Sequence, residues 1–190
     1  MLKEQIKSYV PTNEQEAQDQ KVMLNYINLF KHNILTRENE FAHFTSSGFI
    51  LNEAKDKVLM IYHNLYNSWA WTGGHADGEV DFLEVAIKEA KEETGVIHIR
   101  PLTDEIMSLD ILPVWGHMKK GSYVSSHQHL NVSYLLVADE LDVLLIKEDE
   151  NSNVGWIPVE EIEQYCQEPQ MIPIYKKLLQ RARKLTKSEL

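Results

Sequence analysis

Three glutamates of the 190-residue chain, Glu89, Glu92 and Glu93, stand at i, i+3 and i+4. On a helix this spacing sends all three carboxylates out of one face as neighbours, where like charges repel by a few tenths of a kcal/mol per pair. The trio also falls near the C-terminal end of its helical stretch, where the macrodipole disfavours anions further. A solvated acidic face is the commoner origin of a Glu-rich helix, but local stability alone does not select this one. A hard divalent cation would turn the repulsion into attraction, because Mg²⁺ takes oxygen ligands from carboxylates together with substrate phosphates. Gly73-Gly74, just ahead of the helix, lets the backbone approach a ligand closely and could present a carbonyl to the cation.

A second group involves imidazole. His127 and His129 alternate along a predicted strand and therefore share a face. Two rings so placed could bind a transition metal, or donate to substrate phosphate or carboxylate groups. Equally, they could be strand-end histidines with ordinary partners, since no third soft ligand is evident. Trp69, Trp71, Trp115, Tyr123 and Trp156 offer faces that could stack a base, or could simply pack the core and its rim.

The charge balance bears on the partner. Lys and Arg number 19 against 29 Asp and Glu, a formal net charge of −10. Such a chain has no basic surplus to displace phosphate counterions, which argues against nucleic-acid polymers, and nothing to hold it on anionic membranes. If it handles phosphates, a divalent cation must intervene. Hydrophobic content of 43% and charged content of 25% are those of a globular chain rather than a disordered one. A single cysteine, Cys166, allows no intramolecular disulfide and sits in a helical-looking setting. The N-terminus turns polar at once, and runs such as Tyr134 to Ala138 fall far short of the ~20 apolar residues of a membrane span. The expectation is a soluble, cytoplasmic protein.

The elements that must position these groups read as follows. Thr12 with Gln15 can form a capping box, and Val22, Tyr26, Ile27, Phe30 and Ile34 recur at helical spacing, predicting an amphipathic helix over about 12–36. Its apolar face could pack on the core or on a second subunit, as in a homodimer. Strands are predicted at 48–51, 58–62 and 69–71, the last ending at the double glycine. A helix over about 81–94 stops at Gly95. Further strands follow at 96–99, 107–114 and 129–137, with a polar, Gly-containing loop over 115–126 between the last two. Helices begin near Val159 and span about 172–185. The pattern is α+β, with a helical extension at each end.

The stretch Gly74 to Val96 resembles a Nudix box, G-x5-E-x7-R-E-U-x-E-E-x-G-U with U aliphatic. Gly74, Glu89, Glu92, Glu93, Gly95 and Val96 fall in register, and so many fixed positions make a chance match rare. The lead-in through Tyr62-His63 and Trp69 is similar to the family's, as is Trp156 ahead of Pro158. Val80 stands where the pattern has its first Glu, with Glu79 one place earlier; Lys88 replaces Arg, keeping the charge but losing the bidentate fork; Ala90 fills the aliphatic slot.

The resemblance implies a Nudix-like α/β/α sandwich around a mixed sheet, with residues 1–42 as an N-terminal helical extension, 43–167 as the catalytic core and 168–190 as a C-terminal helix. It implies Mg²⁺ or Mn²⁺ held by Glu92 and Glu93 with a Gly73 or Gly74 carbonyl, and Glu89 as a further ligand or as the base for water. Glu150, six residues before Trp156, matches a late-loop carboxylate of the family, with Glu148 and Asp149 as alternates. His63, Trp69, His127 and His129 are the candidate substrate contacts. The implied activity is hydrolysis of a diphosphate linkage in a nucleoside diphosphate joined to another group, a small-molecule substrate. Rival readings on the same fold are an isoprenoid-diphosphate isomerase, which would need a cysteine near the sheet where Cys166 is not expected, and a non-catalytic sensor of a nucleotide-like ligand.

Overall fold

Every residue of strand β1 (Ala42–Leu51) is buried, and the rest of the molecule is arranged around it. The computed structural model describes residues 2–119 and 121–187. Ahead of β1 lie α1 (Leu2–Ser8) and α2 (Glu14–Leu29). After it come β2 (Lys57–His63), β3 (Ser68–Ala70), β4 (Thr72–His75), α3 (Phe82–Thr94), β5 (Ile99–Pro101) and β6 (Ser108–Val114). The chain continues through β7 (His117–Lys119), β8 (Ser122–Val124), β9 (His127–Ala138), β10 (Asn151–Pro158), α4 (Ile162–Tyr165) and α5 (Ile172–Lys187).

The main sheet runs β10-β2-β1-β9-β5, with β3 on β2, β4 on β1 and β6 on β9. Among the described residues only β1 and β9 pair in parallel, which makes the sheet mixed. One apolar cluster joins Ile6, Met23, Phe82, Ala86 and Ala90 from α1–α3 to Phe44, Leu130 and Val132. A second joins Ile162, Tyr175 and Leu178 from α4 and α5 to Phe49, Met60 and Leu135. Helices thus cover both faces, giving the α/β/α sandwich. This is why β1 does not alternate in burial: Thr45, Ser46 and Ser47 are buried too. Thr45 and Ser47 hydroxyls both donate to Asn131 Oδ1 at 2.9 Å, so the polar run costs no unpaired group. Its hydropathy hides the first six residues of the strand from a sequence reading that begins it at Gly48.

Other boundaries differ for identifiable reasons. Helix α2 is capped by Asn13, whose side chain accepts from the Glu16 N–H at 2.9 Å, rather than by Thr12. It stops at Leu29 because the chain turns back there, with Phe30 and Phe41 rings packing on Tyr26 at 5.7 Å each. The strand predicted at 96–99 exists only as Ile99–Pro101, since the Ile97 and His98 N–H groups donate to Asp142 Oδ2 at 2.7 Å. The predicted loop over 115–126 contains the β7–β8 hairpin, whose three-residue strands are too short to show a period. Cys166 is not inside a helix: it is the extended residue closing α4, buried against the Ser68 hydroxyl.

The apolar face of α2 packs on the core through Met23, Tyr26 and Ile27. The helix also lies along β6. Asp19 Oδ2 accepts the Ile111 N–H at 2.9 Å, and Gln15 Nε2 donates to the Leu109 carbonyl at 3.2 Å. Around that side of the sheet the two ends of the chain meet. Glu16 of α2 is fully buried and accepts from Arg181 at 2.7 Å and Lys177 at 3.0 Å, both on α5. The Tyr9 hydroxyl (2.7 Å) and the Thr12 N–H (2.9 Å) complete its shell, and Lys177 also reaches Asp110 at 2.8 Å. No helix among the described residues is long and apolar enough to cross a membrane.

Candidate active site

The site is assembled between one helix and the short strand it leans on. Asp81 caps α3, its side chain accepting the Glu84 N–H, and Gly95 ends the helix in the left-handed region at φ 79°. Phe82, Ala86 and Ala90 bury one stripe of α3 against the sheet, which turns Glu89 and Glu93 toward β4. The Gly73 N–H donates to Glu93 Oε2 at 2.9 Å. A Cβ on Gly74 would lie 2.3 Å from the Glu89 carboxyl, so the double glycine is what lets that carboxylate seat against the backbone. Gly73 is equally constrained on its other side, where a Cβ would meet the Ser46 carbonyl at 2.8 Å.

A turn ahead of β10 supplies the fourth carboxylate. Asn151, fully buried, donates from Nδ2 to the Glu93 carbonyl at 3.0 Å and accepts the Lys147 N–H at 3.2 Å. The Glu150 N–H bonds the Lys147 carbonyl at 2.8 Å, and Asn64 donates its N–H to the Glu150 carbonyl at 3.0 Å. This turn aims Glu150 at Glu93, while Glu148 and Asp149 stay exposed.

Electrostatics confirm the crowding. Burial, followed by the charges of Glu150 and Glu89, pushes the Glu93 carboxyl up to about 9 against the pull of the Gly73 N–H. Glu89 is also raised, by burial first and by Glu92 and Glu150 after it. Lys147 reaches Glu92 at 3.5 Å and Glu150 at 3.2 Å. Lys88, the residue in the Arg slot of the box, is exposed and pairs loosely with Glu92 at 3.8 Å. Glu79 plays no part in the cluster, since its carboxylate caps the turn by accepting from the Val80 and Asp81 N–H groups. A set of hard oxygen donors held together against their own repulsion is the donor chemistry of Mg²⁺ or Mn²⁺.

His63, at the end of β2, feels the Glu150 charge and packs at a tilt against Tyr66, 4.5 Å between ring centroids. Trp69 instead packs edge-on against Tyr62 and Tyr165, beside Gly155. His127 and His129 do share a face, and two further rings join them: His43 from β1 and His75 from β4. Neither is legible as a partner in the sequence, because only the register of three neighbouring strands brings them there; the one local hint is that His75 directly follows Gly74. Arg37 is a further residue the sequence does not flag. It pairs with Asp77 and adds positive charge near Glu89 and Glu150.

The fold and the carboxylate cluster together describe an α/β/α sandwich with an acidic strand–loop–helix site. The family model for the NUDIX domain matches residues 42–182. The chain belongs to that family. Among solved structures it is similar to a NUDIX-family hydrolase from Clostridium perfringens, at 24% identity and a TM-score of 0.50 over 73% of this chain and 96% of that one. A Nudix hydrolase from M. smegmatis, RenU, aligns at 14% identity and a TM-score of 0.51 over 78% and 88% of the two chains. An Ap4A hydrolase of C. elegans aligns at 19% identity and a TM-score of 0.50 over 70% and 93%. No curated protein matches the sequence.

Proposed function

We propose that this enzyme is a Mg²⁺- or Mn²⁺-dependent hydrolase that cleaves the diphosphate linkage of a nucleoside diphosphate joined to a second group. The observation that carries the reading is the seating of Glu93 and Glu89 against Gly73 and Gly74, with Glu150 aimed at Glu93 and Glu92 beside them on α3. Glu92, Glu93 and Glu150, with a carbonyl of Gly73 or Gly74, would hold the cation. When bound, it would neutralise charge on the diphosphate and acidify a water. Glu89, part-buried and adjacent to the others, is placed to orient the attacking water and take its proton. His63 and Arg37 stand where they can meet phosphate or leaving-group oxygens at the rim of the cluster.

The test is a panel of nucleoside diphosphate derivatives with Mg²⁺, following release of phosphate or nucleoside monophosphate. Glu93→Gln keeps the shape and the bond from Gly73 but loses the charge, and turnover should fall at least ~100-fold. Full Mg²⁺-dependent turnover by Glu93→Gln would remove the assignment. Product analysis separates hydrolysis from isomerisation; Cys166, contrary to the sequence expectation, does touch the sheet at Ser68 of β3, but it packs in the α4–α5 cluster and not in that of α3.

A further inference from the structure

Four histidines meet at one end of the sheet, where the starts of β1 and β9 lie beside the end of β4. Backbone register places them: His43 is the parallel partner of His129, His75 pairs opposite Thr45, and His127 is two residues before His129 on the same face. One ring nitrogen from each lies within 4.8 Å of the others. Ring centroids of His43 stand 5.0, 4.9 and 5.2 Å from those of His75, His127 and His129. Among the described residues this is the one group of three or more histidine, cysteine or acidic side chains whose ligand atoms gather closely enough to hold an ion.

Hydrogen bonds around the cluster set the tautomers. His43 Nδ1 lies 2.9 Å from the Asn39 carbonyl, and His127 Nδ1 lies 2.9 Å from the Ser125 carbonyl. A carbonyl only accepts, so both Nδ1 atoms carry the proton and both Nε2 atoms turn a bare lone pair inward. His43 Nε2 is buried with no hydrogen-bond partner at all. A dry, unpaired ring nitrogen is a cost that the fold has not relieved from its own atoms. Ligating histidines characteristically have the other ring nitrogen pinned in this way by an outer carbonyl or carboxylate.

One pair already stands at ligand spacing, and all four donor atoms lie within 4.8 Å of one another. His127 Nε2 and His129 Nε2 are 3.2 Å apart, close to the ~3.3 Å edge of a tetrahedron with metal–nitrogen bonds of about 2.0–2.1 Å. With His127 Nε2 bare, a hydrogen bond across this contact takes its proton from His129 Nε2, and that proton must move to Nδ1 for both atoms to ligate. Four imidazolium charges could not share so small a space, which argues against an anion pocket. Four neutral imidazoles with no carboxylate or thiolate select a borderline, late first-row cation over the hard ions suited to the glutamates.

We propose that His43, His75, His127 and His129 form a second, four-coordinate metal site that takes Zn²⁺, distinct from the carboxylate cluster. Because His75 is the next residue after Gly74, the site clamps β4 to β1 and β9 at the point where β4 carries the double glycine. Its role is to hold that strand in place.

The full chain, stripped with chelator, is titrated with Zn²⁺ calorimetrically alongside His43→Gln/His129→Gln and Glu92→Gln/Glu93→Gln. One equivalent should bind the parent and the glutamate variant alike, and bind at least 100-fold more weakly to the histidine variant. Co²⁺ should give the intense visible bands of a tetrahedral complex in the first two proteins only. Zn²⁺ should also raise the melting temperature of those two proteins and not of the third. If the double variant does not fold, His127→Gln, at the partly exposed rim, must itself abolish the Co²⁺ bands. The proposal is overturned by absence of tight Zn²⁺ binding to the parent, by equal affinity in the histidine variant, or by loss of the site in the glutamate variant. Each of these results is independent of whether the diphosphate reading holds.

Discussion

Replacing Glu16 by Gln keeps the shape of a fully buried side chain and removes only its charge, so its effect can be worked from the contacts. Lys177 would then keep Asp110, while Arg181 would be left with the neutral oxygens of Tyr9, Thr12 and Met107. Stranding buried charge in this way costs about 3–5 kcal/mol. For a chain of this size about 1 kcal/mol moves the melting temperature by ~2–4 °C, so the fall should be roughly 6–20 °C.

Acid should imitate the substitution. Burial alone would push the Glu16 carboxyl up, but Arg181, the Thr12 N–H, Tyr9 and Lys177 win and hold it at about 2 against an ordinary 4.5. A depressed carboxylate contributes stability that is complete above 4.5 and lost as pH falls from there toward 2. The shift corresponds to ~3 kcal/mol. Asp110, raised by burial ahead of its bonds to Lys177, works in the opposite direction and trims the total. Thermal melts by circular dichroism from pH 7 to 3 should therefore show a steep acid loss in the parent that is shallower in Glu16→Gln. Glu16→Leu combined with Arg181→Met, which removes both members of the pair and leaves Lys177 on Asp110, should recover much of the lost stability. A Glu16→Gln protein melting within about 2 °C of the parent, with the same acid profile, would refute the reasoning.

The double glycine allows two substitutions to be told apart. Gly74→Ala drives a Cβ into the movable Glu89 carboxyl, so turnover should drop ~100-fold while the melting temperature changes little. Gly73→Ala meets the Ser46 carbonyl instead, a backbone atom that cannot step aside, and should show first in the melting temperature. Asn151→Ala removes the bonds to the Glu93 carbonyl and the Lys147 N–H, costing about 1–3 kcal/mol in a melt. It should also slow turnover at least ~10-fold by releasing Glu150; unchanged kinetics would mean that the turn is held without it.

How much of this was readable in advance depends on how far apart in sequence the cooperating residues lie. Glu89, Glu92 and Glu93 sit on one helix, so their spacing alone puts them on one face, and Gly95 marks the end of that helix by its own conformation. Glu150 could be named because it lies a short strand ahead of Trp156. His43 and His75 could not be joined to His127 and His129, since strand pairing between distant segments has no local signature. The same holds for Glu16 and Arg181, which meet only because α2 and α5, from opposite faces of the sheet, both reach its β6 edge. The polar start of β1 is legible only once Asn131 is seen to satisfy Thr45 and Ser47.

The contact of Asp19 and Gln15 with Ile111 and Leu109 has a consequence for how copies of the molecule behave toward one another. A strand beside only one neighbour offers its unused backbone groups to any other chain that can extend along it. By taking up an N–H and a carbonyl in the middle of β6, helix α2 withdraws that invitation, and it does so with side chains that no incoming strand can replace in register. Helix α2 therefore keeps that edge of the sheet closed to strand addition.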